Sequence, residues 1–358
     1  MEETIVQTSL LKKLLKIWSK YTTKFIYFNP HIHIMVKFGL ILHNGWRLDL
    51  PKYFNPHIQW NIIVKEAKLA EELGFDGIWI WDHFHTHPVA KPGWSVFECW
   101  TTLSALAPIT KRVRLGQIVT CVLYRSPAYL AKVSSVVDVI SNGRVELGLG
   151  ACWYLDEFNG YGYSFPRARD RIFMLDEAIQ VIKLMWTRPK AYFDGKYFKL
   201  NGALNDPKPI QKPHPPILIG GGGEKYTLKV AAKHANKWDL FGGTPEIYEH
   251  KLDVLHRHCE NIGRNFNEIV KTHSLRIIIG ENMSVVKERF KQVEEFIQIN
   301  KSFEEVLEWP FIGTYDKVID SFQKYIDLGV SEFILSFRGP PDFRQIREFA
   351  EKIMPSFK

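Results

Sequence analysis

Pro215-Pro216-Ile217-Leu218-Ile219-Gly220-Gly221-Gly222-Gly223-Glu224-Lys225-Tyr226-Thr227 reads as a short buried strand, a turn of four glycines and the opening of a helix that runs on through Leu228, Val230, Ala231 and Ala232. Four consecutive glycines remove every β-carbon from the turn, so a ligand can lie directly on the backbone amides. Those amides sit where a helix begins, and unpaired N–H groups together with the helix dipole favour an anion there. Thr227 adds a hydroxyl one turn in. The stretch predicts a phosphate site. A plain strand-to-helix turn is the competing reading, but a single glycine would serve for that.

Outward from this unit the same strand-helix rhythm repeats. Strands are predicted at 36–42, 78–81, 113–119, 145–149, 238–241, 272–279 and 332–337, besides the one ending in the glycines. Helices are predicted between them. Gly74 closes the helix 60–73, Ser95 and Glu98 form a capping box for the helix 97–106, and Ser126-Pro127 starts the helix that runs to Ile140. Further helices span 172–186, the stretch after the glycines to about Ala235, 245–259, the segment from Thr314 to Gly329, and 342–354. Two stretches break the rhythm. Ala191 to Phe198 carries Asp194-Gly195 between β-prone residues, the mark of a hairpin. Val285, Val286, Phe290, Val293 and Phe296 mark a helical insert. Eight strands, each followed by a helix, require parallel pairing with right-handed crossovers. Closed on themselves, they make a (β/α)8 TIM barrel with a β-hairpin insertion, a helical insertion and an N-terminal helical extension. An open doubly wound sheet, whose glycine loop belongs after the first strand with an acidic residue some twenty positions on, fits less well.

Residues 1–34 form a separate N-terminal amphipathic extension ahead of a barrel domain at 35–358. Leu10, Leu11, Leu14, Leu15, Ile17 and Trp18 make an apolar stripe opposite Lys12, Lys13, Lys16 and Lys20. Such a helix can lie on a membrane surface. It reads better as a helix docked on the body, or as an extension upstream of a natural start at Met35. The interrupting lysines argue against a secretion signal.

With 46% hydrophobic residues among 358, the chain is long and apolar enough for a large core. No apolar run reaches the length of a membrane span. The net charge of +8 suits phosphate- or carboxylate-bearing small molecules. The absence of a basic run beyond the N-terminus argues against nucleic acid. Cys99, Cys121, Cys152 and Cys259 are scattered, with no paired spacing for zinc or a redox dithiol, which fits a reducing cytoplasm.

On a barrel, chemistry gathers at the C-terminal ends of the strands. The second strand ends in Trp81-Asp82-His83-Phe84-His85-Thr86-His87. His83 can move protons near neutral pH, with Asp82 as an adjoining carboxylate to orient or stabilise it. Alternate histidines also suggest a metal, yet the other strand ends offer no convincing further ligands. The fourth strand ends in Gly148-Leu149-Gly150-Ala151-Cys152-Trp153, where small residues admit a planar ring and Trp153 can wall it. Trp46, Trp94 and Tyr154 are further candidate walls.

Four motifs in order carry a resemblance: Trp81-Asp82-His83-Phe84; Leu115-Gly116 through Arg125-Ser126-Pro127; Ser141-Asn142-Gly143-Arg144 with Gly148-Leu149-Gly150; and Gly220 through Thr227. From Met35 to its end the chain resembles the bacterial luciferase-like superfamily of flavin and deazaflavin oxidoreductases. It is most similar to the coenzyme F420-dependent branch. The resemblance implies a non-prolyl cis peptide at Ile118–Val119 backing the cofactor ring, with Thr120, Gly150 and Trp153 close by. It also implies a proton-handling or charge-stabilising His83, accompanied by Asp82, and a phosphate site at Gly221, Gly222, Gly223, Glu224 (through its backbone) and Thr227. The family's glucose-6-phosphate dehydrogenases carry a catalytic glutamate where Trp153 stands here, so that activity does not transfer. The implied activity is hydride transfer between F420 and an unidentified organic substrate, by an enzyme that tends to form a homodimer. Three alternatives remain: an FMN-dependent monooxygenase using reduced flavin and oxygen, a flavin-binding protein without turnover, and a metal-dependent hydrolase.

Overall fold

Alternation of apolar strand and helix becomes a closed ring in the computed structural model, which describes residues 35–50, 52, 55–297 and 301–358. In chain order, β1 (Lys37–Ile41) leads through α1 (Pro56–Glu72) to β2 (Gly77–Ile80), and α2 (Cys99–Leu106) to β3 (Arg114–Gln117). After a two-residue break comes β4 (Thr120–Cys121), then α3 (Pro127–Ile140), β5 (Val145–Gly150), α4 (Leu155–Gly160) and α5 (Ala168–Thr187). The hairpin β6 (Ala191–Asp194) and β7 (Lys199–Ala203) precedes β8 (Ile217–Gly220), α6 (Thr227–His234), β9 (Lys237–Phe241) and α7 (Pro245–Glu260). Next are β10 (Val270–Gly280), α8 (Met283–Ile297), α9 (Phe303–Leu307), β11 (Ile312–Thr314), α10 (Tyr315–Ile326), β12 (Val330–Phe337) and α11 (Phe343–Lys352). The ring order is β1-β2-β3-β5-β8-β9-β10-β12 and back to β1, all parallel. The fold is a (β/α)8 barrel. The predicted hairpin and helical insert are both present, the latter with the short strand β11 added to the far end of β10. The amphipathic stripe of 1–34 lies outside the described residues.

Strand alternation separates two cores. Phe38, Leu40, Ile78, Ile80, Leu147, Leu149, Ile217, Ile219 and Trp238 face the helices. The opposite set fills the barrel in layers. Lys237 at the N-terminal end lies 2.6 Å from Glu146 and 2.5 Å from Glu332, and Arg114 lies 2.9 Å from Glu146. Above this ionic floor sits Trp79, fully buried. A β-carbon at Gly39 would come within 2.4 Å of its indole, and one at Gly116 within 2.2 Å. Glycine on both flanks therefore makes room for the largest side chain at the barrel centre.

Three local expectations change. The helix after β2 starts at Cys99, and Glu98 itself caps it by accepting from the Thr101 amide (2.6 Å). Ser95 instead passes close to Gly45, where a β-carbon would meet its carbonyl. The strand 113–119 is interrupted because Ile118–Val119 is a cis peptide that bulges into the barrel mouth. Cys121 and Cys152 form a disulfide. They are 31 residues apart, but β4 and β5 pair Cys121 with Gly150 and bring the two Cα atoms to 4.9 Å. Only Cys99 and Cys259 are free, so cysteine usage supplies no argument for a reducing compartment. No helix among the described residues is long and apolar enough to cross a membrane.

His43 fastens the barrel where β1 ends. Its Nδ1 lies 2.6 Å from Glu66 of α1 and its Nε2 3.0 Å from the Phe337 carbonyl of β12. Burial favours the neutral ring, but the Glu66 carboxylate overrides it and the pKa rises from 6.5 to about 9. A raised folded-state value means stability that is complete below pH 6.5 and lost as pH climbs through 9. At about 1.4 kcal/mol per pH unit, the contribution is about 3 kcal/mol. Urea unfolding of wild type and His43→Gln should therefore show a stability gap that narrows by about that amount between pH 6.5 and pH 9. A gap independent of pH would show that the ring is not held protonated.

Candidate active site

A cavity of about 460 Å³ opens at the C-terminal mouth of the barrel, above Trp79. Its floor is the Ile118–Val119 bulge. Three glycines on neighbouring strands accept the Val119 side chain and the bent backbone. A β-carbon on Gly148 would lie 1.8 Å from the Gln117 carbonyl, one on Gly150 2.5 Å from a Val119 methyl, and one on Gly220 3.0 Å from the other methyl. The result is a flat apolar shelf at the rim. Trp46, Trp81, Trp153 and Phe241 wall it.

At one end stands His83, buried against Trp46 with ring centroids 3.9 Å apart and planes 6° from parallel. Its Nδ1 lies 2.8 Å from Glu157 Oε2. Glu157 is fully buried in α4 and also accepts from the Tyr124 hydroxyl and the amides of Phe84 and His85. Burial alone would raise the Glu157 pKa, but these donors, His83 foremost, hold it below the usual carboxylate value. The carboxylate that orients His83 is thus Glu157. Asp82 lines the cavity but spends its oxygens elsewhere: both are 2.8 Å from the Arg125 guanidinium, and Oδ2 accepts from the Cys121 amide (2.9 Å). It braces β4 and the loop after it, and makes no hydrogen bond to His83. His85 and His87 also go separate ways, the first stacking on Tyr161 and the second bonding Arg47. Among the described residues no group of three acidic, histidine or cysteine side chains could hold a metal ion.

The other end is the glycine turn. Gly221 has φ +123°, donates its amide to the Asp239 carbonyl (3.0 Å) and accepts from the Trp238 indole (3.0 Å). The amides of Gly222 and Gly223 donate to no group among the described residues, and Tyr226 at the start of α6 makes no side-chain cap. A β-carbon at Gly223 would sit 2.7 Å from the Thr227 hydroxyl, so a side chain there would close the cradle. Gly221, Gly222 and Thr227 line the cavity, as does the Arg171 guanidinium, which is anchored to the Ala151 carbonyl (3.1 Å). Gly223 and Glu224 lie just outside its wall, and the Glu224 carboxylate turns away to His250 and Lys251. Thr120 is wholly buried behind the bulge, accepting from the Trp100 indole (3.2 Å). Trp94 does not line the cavity.

Of the expected residues, Asp82, His83, Ile118, Val119, Gly150, Trp153, Gly221, Gly222 and Thr227 share one cavity. Glu157, Tyr124 and Arg171 were not singled out by sequence. The available signal for Glu157 was only that it follows a strand end by a few residues; its partner His83 is 74 positions away. Asp239 was missed too. Burial pushes its carboxyl up to about 7 despite hydrogen bonds from the Ser274 and Thr272 hydroxyls.

An apolar shelf, a buried His-carboxylate pair beside it and a glycine turn with free amides opposite have the shape and chemistry that a ring-and-phosphate ligand needs. Residues 49–332 match the luciferase-like monooxygenase family, and the chain belongs to that family. An F420-dependent glucose-6-phosphate dehydrogenase of Amycolatopsis mediterranei is 26% identical over 324 residues, covering 83% of this chain and 94% of that protein. Two solved structures share the fold. An F420-dependent secondary alcohol dehydrogenase in complex with an F420-acetone adduct has a TM-score of 0.75 at 20% identity, covering 90% of this chain and 99% of its own. The monooxygenase RslO1 from Streptomyces bottropensis has a TM-score of 0.76 at 22% identity, covering 90% of this chain and all of its own.

The close approaches around the shelf rank three substitutions. Gly148→Ala drives a methyl into backbone, Gly150→Ala into a stiff β-branched side chain, and Gly220→Ala only to the edge of contact. Overpacking of this kind costs about 1–3 kcal/mol, so denaturant unfolding should place the losses in that order, with Gly220→Ala near or below the lower bound. Equal losses would mean that the bulge yields freely.

Proposed function

We propose that this protein is a coenzyme F420-dependent oxidoreductase acting on an organic alcohol or the corresponding carbonyl compound. The observation that carries it is the pairing of the glycine cradle with the His83–Glu157 dyad across one shelf. The similarity to F420-dependent glucose-6-phosphate dehydrogenases over most of the chain favours F420 over FMN. When bound, F420 supplies the two-electron, hydride-accepting ring.

The chain's own residues do the rest. Free amides at Gly222 and Gly223, with Thr227 and the Arg171 cation, would hold the phosphate end. Val119, seated on Gly150 and Gly220, would support the ring from one side, and the buried Trp46 would help to exclude water from the other, with Trp153 at the rim. With His83 Nδ1 tied to Glu157, Nε2 is the nitrogen left to face the cavity, and in the neutral ring it is the acceptor. It can take the hydroxyl proton as an alcohol loses hydride from carbon, and return it in the opposite direction. The anionic Glu157 stabilises the imidazolium so formed. Asp82 is a positioning residue: through Arg125 and the Cys121 amide it holds the bulge in place.

Purified protein titrated separately with F420 and with FMN should bind F420 saturably and ignore FMN. The reverse result would favour the monooxygenase reading. His83→Ala should lower turnover about 100-fold or more while leaving F420 affinity within a few-fold, since a general acid-base group contributes on the order of 10²–10⁴. Unchanged turnover would remove His83 from the chemistry.

A further inference from the structure

A second cavity, of about 170 Å³, lies beside the first and is lined by three arginines. Arg47 follows β1, Arg276 lies in β10 and Arg338 follows β12, and these three strands are neighbours in the ring. Their C-terminal ends therefore bring three cations to one point. The helical insert roofs it with Val293, Val306, Trp309 and Ile312.

These guanidiniums lack what buried cations need. Arg338 is 7% exposed, and its Nε and Nη2 have no hydrogen-bond partner; the buried Nε atoms of Arg47 and Arg276 have none either. No ion pair ties any of the three to a carboxylate among the described residues. The acidic group nearest in effect is Asp49, whose Oδ1 accepts from the Gly45 amide (2.8 Å). His87 accepts a bond from Arg47 (2.7 Å) and is held neutral, its pKa lowered to about 4 by burial and by Arg47, so it neutralises nothing. Burial and mutual repulsion push the Arg338 pKa far down and that of Arg47 to about 10. A buried charge without a partner costs several kcal/mol. Nothing in barrel packing requires three of them together.

The two cavities share a wall one ring thick. The Arg47 guanidinium stacks 3.9 Å from the Trp46 ring, whose indole also stacks on His83. Arg276 lies 5.1 Å from the Phe241 ring, which lines the first cavity. We propose that the three-arginine cavity receives the anionic head of the substrate, a carboxylate or phosphomonoester on a short apolar chain, whose other end reaches His83 past Trp46 and Phe241. Guanidinium forks match both anions bidentately. The apolar roof suits the carbon chain, so the substrate class is a small hydroxy or oxo acid, or its phosphate-ester counterpart. The word substrate rests on the function proposed above; the anion site itself does not.

The test uses the full-length protein without added cofactor. Thermal unfolding and calorimetric titration with butanoate, butyl phosphate and butan-1-ol separate charge from chain. Wild type should bind one or both anions and gain several degrees in Tm at saturation, the better anion naming the head group, while butan-1-ol does neither. Arg338→Met should unfold at the wild-type temperature or higher without ligand, because an unpaired buried charge is gone, yet lose the anion response. Arg276→Gln should weaken anion binding at least tenfold. Butan-1-ol binding as well as butanoate, no response to either anion, or an undiminished response in both variants would overturn the proposal. So would an Arg338→Met protein that fails to fold, since the guanidinium would then be structural. F420 binding without an anion response would sink this proposal alone, whereas an anion response in a protein that ignores F420 would sink only the cofactor assignment.

Discussion

Trp79 decides how the inside of this barrel is used. Its indole fills the cross-section, admitted by Gly39 and Gly116, and divides an ionic floor from an open mouth. Below it, Lys237 draws Glu146 and Glu332 together and ties β9 to β5 and β12. Those charges tolerate burial only because each faces an opposite one. Above it, the inward positions of the same strands shrink to Gly148, Gly150 and Gly220 or turn polar at Asp239 and Ser274. A strand that is packed tightly at its start can thus leave a cavity at its end.

That layering explains why two adjacent cavities differ so much in charge. The first is bounded by strands whose ends are glycine-rich, and its charges are already matched: Glu157 against His83 and Tyr124, and Asp82 against Arg125. The second is bounded by β1, β12 and β10, whose ends carry arginines with no such partners. Matched groups hold a shape, whereas the unmatched guanidiniums are what the proposed anion would pair. The helical insert joins the two roles, since its apolar face both packs into a small core of its own around Phe290 and covers the arginines.

Sequence reading did well where the signal was local and periodic. Eight strand-helix units, the hairpin at Asp194-Gly195 and the glycine turn were each legible from a dozen residues or fewer, because period and turn chemistry are properties of neighbours in the chain. His83 was legible because it sits at a strand end, and Ile118–Val119 through resemblance. It did poorly where partners are distant in sequence. The Cys121–Cys152 disulfide was invisible because its cysteines, 31 positions apart, are brought together by a strand pairing. Asp82 was the natural partner for His83 by adjacency, yet successive residues leaving a strand diverge, and the carboxylate that arrives belongs to the short helix after β5.

The residues by themselves determined a parallel eightfold barrel with a four-glycine turn after the fifth of its barrel strands and a histidine after the second. Only the tertiary structure decided which carboxylate serves that histidine, which cysteines join, and that Arg47, Arg276 and Arg338 meet. The reason is physical. A turn or an amphipathic period is fixed by bonds and sterics over a few residues, whereas closing the ring brings β10, β12 and β1 side by side, although β1 stands at the opposite end of the described chain.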